Sequence, residues 1–310
     1  MIALLAPGQG AQKPGMLSPW LDDPDARDQV AAWSELTGLD LVRLGTEADA
    51  DEIKDTAVTQ PLIVATALLA AARLATRVAL PAAAPAAGHS VGELAAAAIA
   101  GVLTPDTAVE LAAVRGRAMA AACAAEPTGM SAVLGGKPEA VLARLEELGL
   151  DPANRNGAGQ VVAAGPVSAL EALAQQPPER ARVIPLAVAG AFHTRYMAPA
   201  VDTLREHAAR ITPADPTRPL LSNADGAVVT SGADALARLV DQVARPVRWD
   251  LCMATLRELG VTGVIELPPA GTLVGLVKRE LRGTATLALN TPDDLDTAAG
   301  LIAEHAGSAA

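Results

Sequence analysis

Aromatic side chains are nearly missing from this 310-residue chain: one phenylalanine, one tyrosine and three tryptophans make up 2% of it. Hydrophobic residues still reach 51%, so the core has to be built from Ala, Val and Leu. Cysteine is equally scarce. Cys123 and Cys252 share no metal-type spacing, which excludes a disulfide framework or a zinc knuckle and fits a reduced, cytoplasmic protein. Positive charge is short as well. A net charge of -11 and a pI near 4.8 argue against nucleic acid and against an anionic membrane surface. A polyanionic partner would have to meet a local basic patch. No targeting segment is evident, because the apolar Met1–Ala6 start breaks at Pro7-Gly8 and no basic residue precedes it. The run from Ile63 to Ala75 is too short for a membrane span and carries Arg73. It reads as a buried helix of a soluble protein.

Against that background the stretch Gly88-His89-Ser90-Val91-Gly92-Glu93 stands out. A Gly-x-Ser-x-Gly elbow followed by an alanine-rich helix is the local geometry that lifts a serine hydroxyl clear of a sheet. The glycines permit the strained turn and leave room for a substrate. Three fixed residues in a chain rich in Gly and Ala also recur by chance, and the pentapeptide alone leaves an ordinary turn equally open.

The surrounding pattern is α/β. Residues 2–6 read as a buried strand running into Gly8-Gln9-Gly10, and an apolar helix covers 60–77. The elbow follows, then a helix from Pro105 to about Ala124. Continuous apolar strands alternating with helices indicate a covered, mostly parallel sheet. From about Gly129 the rhythm changes. Strands are expected at 130–134, near Arg155, at 161–164 and at 181–189, with helices at 138–148 and 167–175. That β-α-β-β-α-β order is a ferredoxin-like unit. The predicted organisation is a hydrolase-like catalytic domain, 1–127 and 194–310, interrupted by a small subdomain at 128–193. Helices are expected at 199–211, at 234–243 with Asp234 as cap, and from Leu273, ahead of a frayed tail.

A serine hydroxyl needs a base at neutral pH. Of the four histidines, His305 sits in the tail, and His207 lies on a charged helix face. His89 adjoins the serine, where neighbouring side chains diverge. His193 follows a strand at the point where the inserted subdomain returns, and clefts form between domains. It is the best candidate base. Phe192, the only phenylalanine, sits beside it and reads equally well as a pocket wall or a core ring. Arg115 has apolar neighbours one helical turn away on both sides (Leu111, Ala112, Ala118, Met119), so it either snorkels to water or meets an anion in a pocket.

Together with Gly8-Gln9-Gly10-Ala11-Gln12, Arg115-Gly116-Arg117, Asn154-Arg155-Asn156, Gly159-Gln160-Val161-Val162, Gly190-Ala191-Phe192-His193 and Gln242, the elbow closely resembles the malonyl-CoA:acyl-carrier-protein transacylases. The motifs run in family order over nearly the whole chain, and the alanine content looks actinobacterial. The resemblance implies Ser90 as nucleophile, His193 as its base, and backbone N–H groups of Gln9 and Val91 as oxyanion hole. It also implies that Arg115 grips the malonyl carboxylate, that the main-chain carbonyl of Gln242 orients the imidazole, and that Phe192 selects against a branch methyl. Asn154 and Asn156 match positions near the cleft, and read as well as turn residues. The implied reaction is ping-pong transfer from malonyl-CoA to the phosphopantetheine thiol of acyl carrier protein, for fatty-acid or polyketide synthesis. It needs no metal or cofactor beyond the CoA thioester, and the family default is a monomer. Two rivals share the residues: a serine acyl hydrolase, and a carrier-protein docking module without chemistry.

Overall fold

The structure, a computed structural model, describes residues 1–306. Strand β1 (Ile2–Ala6) is buried throughout and takes parallel neighbours on both sides. Helices α1 (Pro24–Thr37), α2 (Leu41–Thr46), α3 (Ala50–Ile53) and α4 (Thr56–Arg77) follow. An aspartate stands immediately before each of them, and the side chains of Asp23, Asp40, Asp49 and Asp55 accept the free N–H groups of the first turns. Helix α4 is long and apolar enough to cross a membrane by length and composition, beyond what the 63–75 run predicts. However, 78% of its apolar window lies inside the protein.

Strand β2 (Ala86–Gly88) leads into α5 (Gly92–Ile99) and α6 (Pro105–Cys123). The chain then forms β3 (Thr128–Gly135), α7 (Pro138–Glu147), β4 (Asp151–Gly157), β5 (Gln160–Pro166), α8 (Val167–Gln175) and β6 (Ala181–Pro185). These strands make a separate antiparallel sheet in the order β4-β5-β3-β6, the ferredoxin-like order. Val133, Val141, Leu145, Leu170 and Leu173 form its own core. Strand β6 is shorter than the 181–189 expected, ending at Pro185, which has no N–H to donate to a ladder.

The remaining elements are α9 (Ala198–Ala208), β7 (Leu220–Leu221), β8 (Val228–Val229), α10 (Gly232–Asp241), α11 (Trp249–Glu258), β9 (Gly263–Glu266), α12 (Thr272–Glu280), β10 (Ala285–Ala288) and α13 (Leu295–Ala306). The large sheet runs β10-β9-β1-β2-β7-β8, parallel except for β8. Two further expectations need correction. Helix α10 begins at Gly232, so Ser231 is its cap and accepts from the Asp234 N–H, while Asp234 pairs with Arg238 at 2.9 Å. The segment after α12 is also ordered through Ala306. Leu295, Ala298 and Ile302 fall on one helical face and bury against the body of the protein.

Backbone bonds tie the small sheet to the large domain. Val247, just before α11, donates its N–H to the Ala153 carbonyl (2.8 Å) and accepts from the Arg155 N–H (2.9 Å). This bridge brings β4 alongside the large domain, and the cleft lies between the two.

Candidate active site

The elbow geometry follows from its glycines. Ser90 has a φ of 55°, in the left-handed region, which costs a non-glycine residue on the order of 1–3 kcal/mol unless its surroundings hold it. A Cβ on Gly88 would overlap the Gly92 carbonyl, and one on Gly92 would overlap the carbonyls of Ala6 and Pro7. Only glycine lets β2 turn into α5 so tightly against β1. The turn points the Ser90 hydroxyl into the cleft.

His193 reaches the same point from the other side. Its φ is 63°, its N–H donates to the Val243 carbonyl at 3.1 Å, and its Nε2 lies 2.9 Å from Ser90 Oγ. Its Nδ1 lies 3.1 Å from the Gln242 main-chain oxygen and 3.0 Å from the Gln242 side-chain Nε2. Donation from Nδ1 to the carbonyl leaves Nε2 bare, the form that accepts the serine proton. Burial, and then the charge of Arg115, push this imidazole down to about 3, against the opposing hydrogen bond that it donates to the Gln242 carbonyl. It is therefore neutral at physiological pH.

Arg115, on α6, is 2% exposed. Its hydrogen-bond partners are all neutral: Gln60 Oε1 at 2.7 Å, Gln242 Oε1 at 3.1 Å and Ser90 Oγ at 3.2 Å. Of the two sequence readings, snorkelling to water is excluded by this burial. Glu93, whose field acts on Arg115 from beneath the elbow, is itself pushed up to about 8 by burial. The guanidinium is thus left as a buried cation without a close anion, an arrangement suited to taking one from a ligand.

The amide N–H groups of Gln9 and Val91 have no hydrogen-bond partner within the protein among the described residues. Gln9 itself is fixed by its side chain, which donates to Thr56 Oγ1 at 3.1 Å. The cleft encloses about 210 Å³, with Met130, Val162, Leu186 and Leu276 among its apolar walls. Phe192 is both a wall of this cleft and part of the main core, 5% exposed. Asn154 and Asn156 line it too. Asn156 Oδ1 meets His89 Nε2 at 2.9 Å, whereas Asn154 Oδ1 is buried without a partner.

None of the other histidines pairs with Ser90, although His89 lines the same cleft. His89 is turned aside onto Asn156 and the edge of Trp249. His207 is not free in solvent; it stands 3.5 Å from Glu110. His305 packs on α13 within 2.7 Å of Thr262 Oγ1. Cys252 is buried and Cys123 half-buried, and burial raises both thiols. Among the described residues, no group of His, Cys, Asp or Glu gathers as a metal site would. Sequence reasoning missed three residues of the site: Gln60, Glu93 and Asn223, whose side chain accepts the Ser90 N–H at 2.8 Å. A glutamine inside the apolar run of α4, and a glutamate directly behind the elbow, were signals available for the first two.

Residues 4–299 match the acyl transferase domain family. The chain is 63% identical to the malonyl CoA-acyl carrier protein transacylase of Mycobacterium tuberculosis H37Rv, covering 97% of this chain and 100% of that relative. It is 34% identical to the protein of that name from Escherichia coli K12, over 96% and 98% of the two chains. Among solved structures, MCAT from Mycobacterium tuberculosis superposes with a TM-score of 0.93 at 62% identity, covering 96% and 99%. A malonyl-transacylase in complex with a type II polyketide-synthase acyl-carrier protein does so with 0.90 at 30% identity, covering 96% and 99%.

Proposed function

The chain belongs to the acyl transferase family, among its malonyl-CoA:acyl-carrier-protein transacylases, and from that premise we propose how its own residues carry out malonyl transfer. The observation that carries the proposal is Arg115, a buried cation with neutral partners that donates directly to Ser90 Oγ. It gives a substrate carboxylate a charged seat next to the nucleophile, which a general acyl hydrolase would have no use for.

Malonyl-CoA enters with its carboxylate on Arg115 and its thioester carbonyl against Ser90. The hydroxyl gives its proton to His193 Nε2 as Oγ attacks, and the developing oxyanion is received by the N–H groups of Gln9 and Val91. Gln242 holds the imidazolium through the Nδ1–H···O=C bond. The C–S bond then breaks, and His193 returns the proton to the departing CoA thiolate. The malonyl–Ser90 ester is attacked by the phosphopantetheine thiol of acyl carrier protein, with His193 acting once more as base. The substrate carboxylate also offsets the Arg115 charge that suppresses His193, so the base strengthens when the correct acyl group is bound. Phe192 closes the space a branch methyl would need. No cofactor beyond the CoA thioester takes part in these steps, and the protein acts in the cytoplasm.

Incubation with radiolabelled malonyl-CoA, with and without holo acyl carrier protein, tests the scheme. A stable label on the protein that moves to the carrier is the expected result. Release of free malonate would make the protein a hydrolase, and no label at all would make it a docking module.

A further inference from the structure

Strand β7 lies parallel to β2, with Leu220 opposite Ala86, but β7 stops at Leu221 while β2 continues to Gly88. The last peptide groups of β2 and the first of the elbow therefore lack a backbone partner on that side. A fully buried side chain takes over. Asn223 donates its Nδ2 to the Gly88 carbonyl at 2.8 Å and accepts the Ser90 N–H on its Oδ1 at 2.8 Å. One amide thus spans both ends of the left-handed turn, as a peptide unit of the missing strand would. Asn223 is itself held from α5, where Glu93 Oε1 accepts its backbone N–H at 2.7 Å. Its carbonyl accepts from the Arg248 N–H at 2.7 Å.

We propose that Asn223, fixed by the buried carboxyl of Glu93, is a positioning residue that holds Ser90 in its reactive conformation and leaves the Val91 N–H for the acyl oxygen. The proposal rests on the reading of Ser90 as nucleophile. The clamp touches neither the acyl group nor CoA, and acts through the elbow backbone. Removing it leaves a turn with φ near 55° to relax, carrying Oγ away from both His193 and the oxyanion site. A displacement of that kind costs rate and leaves ground-state binding intact, because Arg115 and the cleft walls remain in place.

The test uses the full chain and its variants Asn223→Ala, Asn223→Asp, Glu93→Ala and Glu93→Gln, with kcat, KM for malonyl-CoA and Tm measured for each, and Ser90→Ala, tested for malonyl labelling and Tm. Asn223→Ala is expected to lower kcat by about 100-fold, the cost of a misplacement on the order of 1 Å, with KM changed by less than about threefold. Glu93→Ala should slow the enzyme in the same way. Glu93→Gln, which keeps an oxygen for the Asn223 N–H, should recover most of that loss. The double variant with both alanines should be no slower than the worse single one, since both act through one contact. Should Asn223→Ala not fold, Asn223→Asp preserves the shape but turns an oxygen toward the Gly88 carbonyl, and its kcat should fall by at least about tenfold with KM unmoved. An unchanged kcat, a loss that appears in KM instead, or additive losses in the double variant would overturn the clamp. Malonyl labelling of Ser90→Ala would overturn the nucleophile itself, which separates the two failures.

Discussion

Ser90 and His193 meet at 2.9 Å and share a left-handed backbone, yet the two conformations arise differently. That of Ser90 is made possible locally, before Asn223 clamps it. Gly88 and Gly92 stand two residues to either side, and neither has room for a Cβ against immovable backbone. That of His193 is imposed from about fifty residues away, by the Val243 carbonyl on its N–H and the Gln242 carbonyl on its ring. The glycine nearest to it, Gly190, would press a Cβ against Cys123 Sγ at 2.6 Å and Thr128 Oγ1 at 3.2 Å, side-chain atoms that can shift. The Ser90 turn is permitted by its neighbours in sequence and then clamped from Asn223, whereas the His193 conformation is set by distant contacts alone.

The sharpest break of this pairing is at the reacting atoms. Ser90→Ala should fold and take no label from malonyl-CoA. His193→Ala should still take label, with acylation slowed by about 10²–10⁴-fold, the usual worth of a general base; rapid-quench labelling reads both. The glycines come next. Gly88→Ala should cost more than about 4 kcal/mol or prevent folding, because backbone must move. Gly190→Ala should cost about 1–3 kcal/mol, since side chains can yield. Urea midpoints decide, and equal losses would erase the distinction between local and imposed strain.

Arg115 touches both partners through Ser90 Oγ and Gln242. Arg115→Ala should lose about 3 kcal/mol in malonyl transfer, because the substrate carboxylate would be buried unpaired. Acetyl transfer should change little or rise. Equal losses for malonyl-CoA and acetyl-CoA would make the arginine structural.

The two halves also titrate with opposite sign. Glu93, behind the elbow, is raised from 4.5 to about 8. The folded state therefore holds its proton where the unfolded chain has lost it, and the associated stability is complete below pH 4.5 and declines up to about 8. His193 is lowered from 6.5 to about 3. Its contribution is complete above pH 6.5 and is lost as pH falls toward 3. Between pH 6.5 and 8 only the Glu93 slope remains, worth about 2 kcal/mol at 1.4 kcal/mol per pH unit. Wild-type stability should fall across that interval relative to Glu93→Gln, as measured by urea unfolding at the two pH values. Parallel profiles would show that Glu93 is already ionised.

The smallest effect concerns Phe192. Phe192→Ser should raise the methylmalonyl-to-malonyl ratio by about tenfold, since one methyl in an apolar pocket is worth about 1–3 kcal/mol. Competition between the two thioesters, read by the mass of the loaded carrier protein, gives the ratio. An unchanged ratio would assign Phe192 to the core alone.

Much of this was legible in the sequence. The elbow stands out as a candidate because its stereochemistry demands particular residues at fixed spacing, though the pentapeptide alone leaves an ordinary turn equally open. The α/β alternation and the inserted β-α-β-β-α-β unit follow from the rhythm of apolar runs. The position of His193 emerged from eliminating three other histidines, a device that works only because the chain has four. What stayed hidden is polar and long-range. Asn223 sits in Ser222-Asn223-Ala224-Asp225-Gly226, which reads as any turn would. Its significance comes from β7 ending short beside β2, a matter of register between strands more than a hundred residues apart. Gln60 became visible as a support for Arg115 only once α4 and α6 were packed together. The ordered α13 was missed for a different reason. Its apolar stripe is sparse and alanine-rich, and burial against α4 and β1 is what holds it.

The backbone seam at Val247 has a mechanical consequence. Two amide–carbonyl bonds pin the edge of the small sheet to the segment that enters α11, and swinging the lobes apart would sacrifice both, at about 1 kcal/mol each. Residue 247 also lies only five positions beyond Gln242, whose carbonyl steers the imidazole. Tilting the small lobe is therefore opposed at this seam, on the same short stretch of chain that aligns the His193 ring.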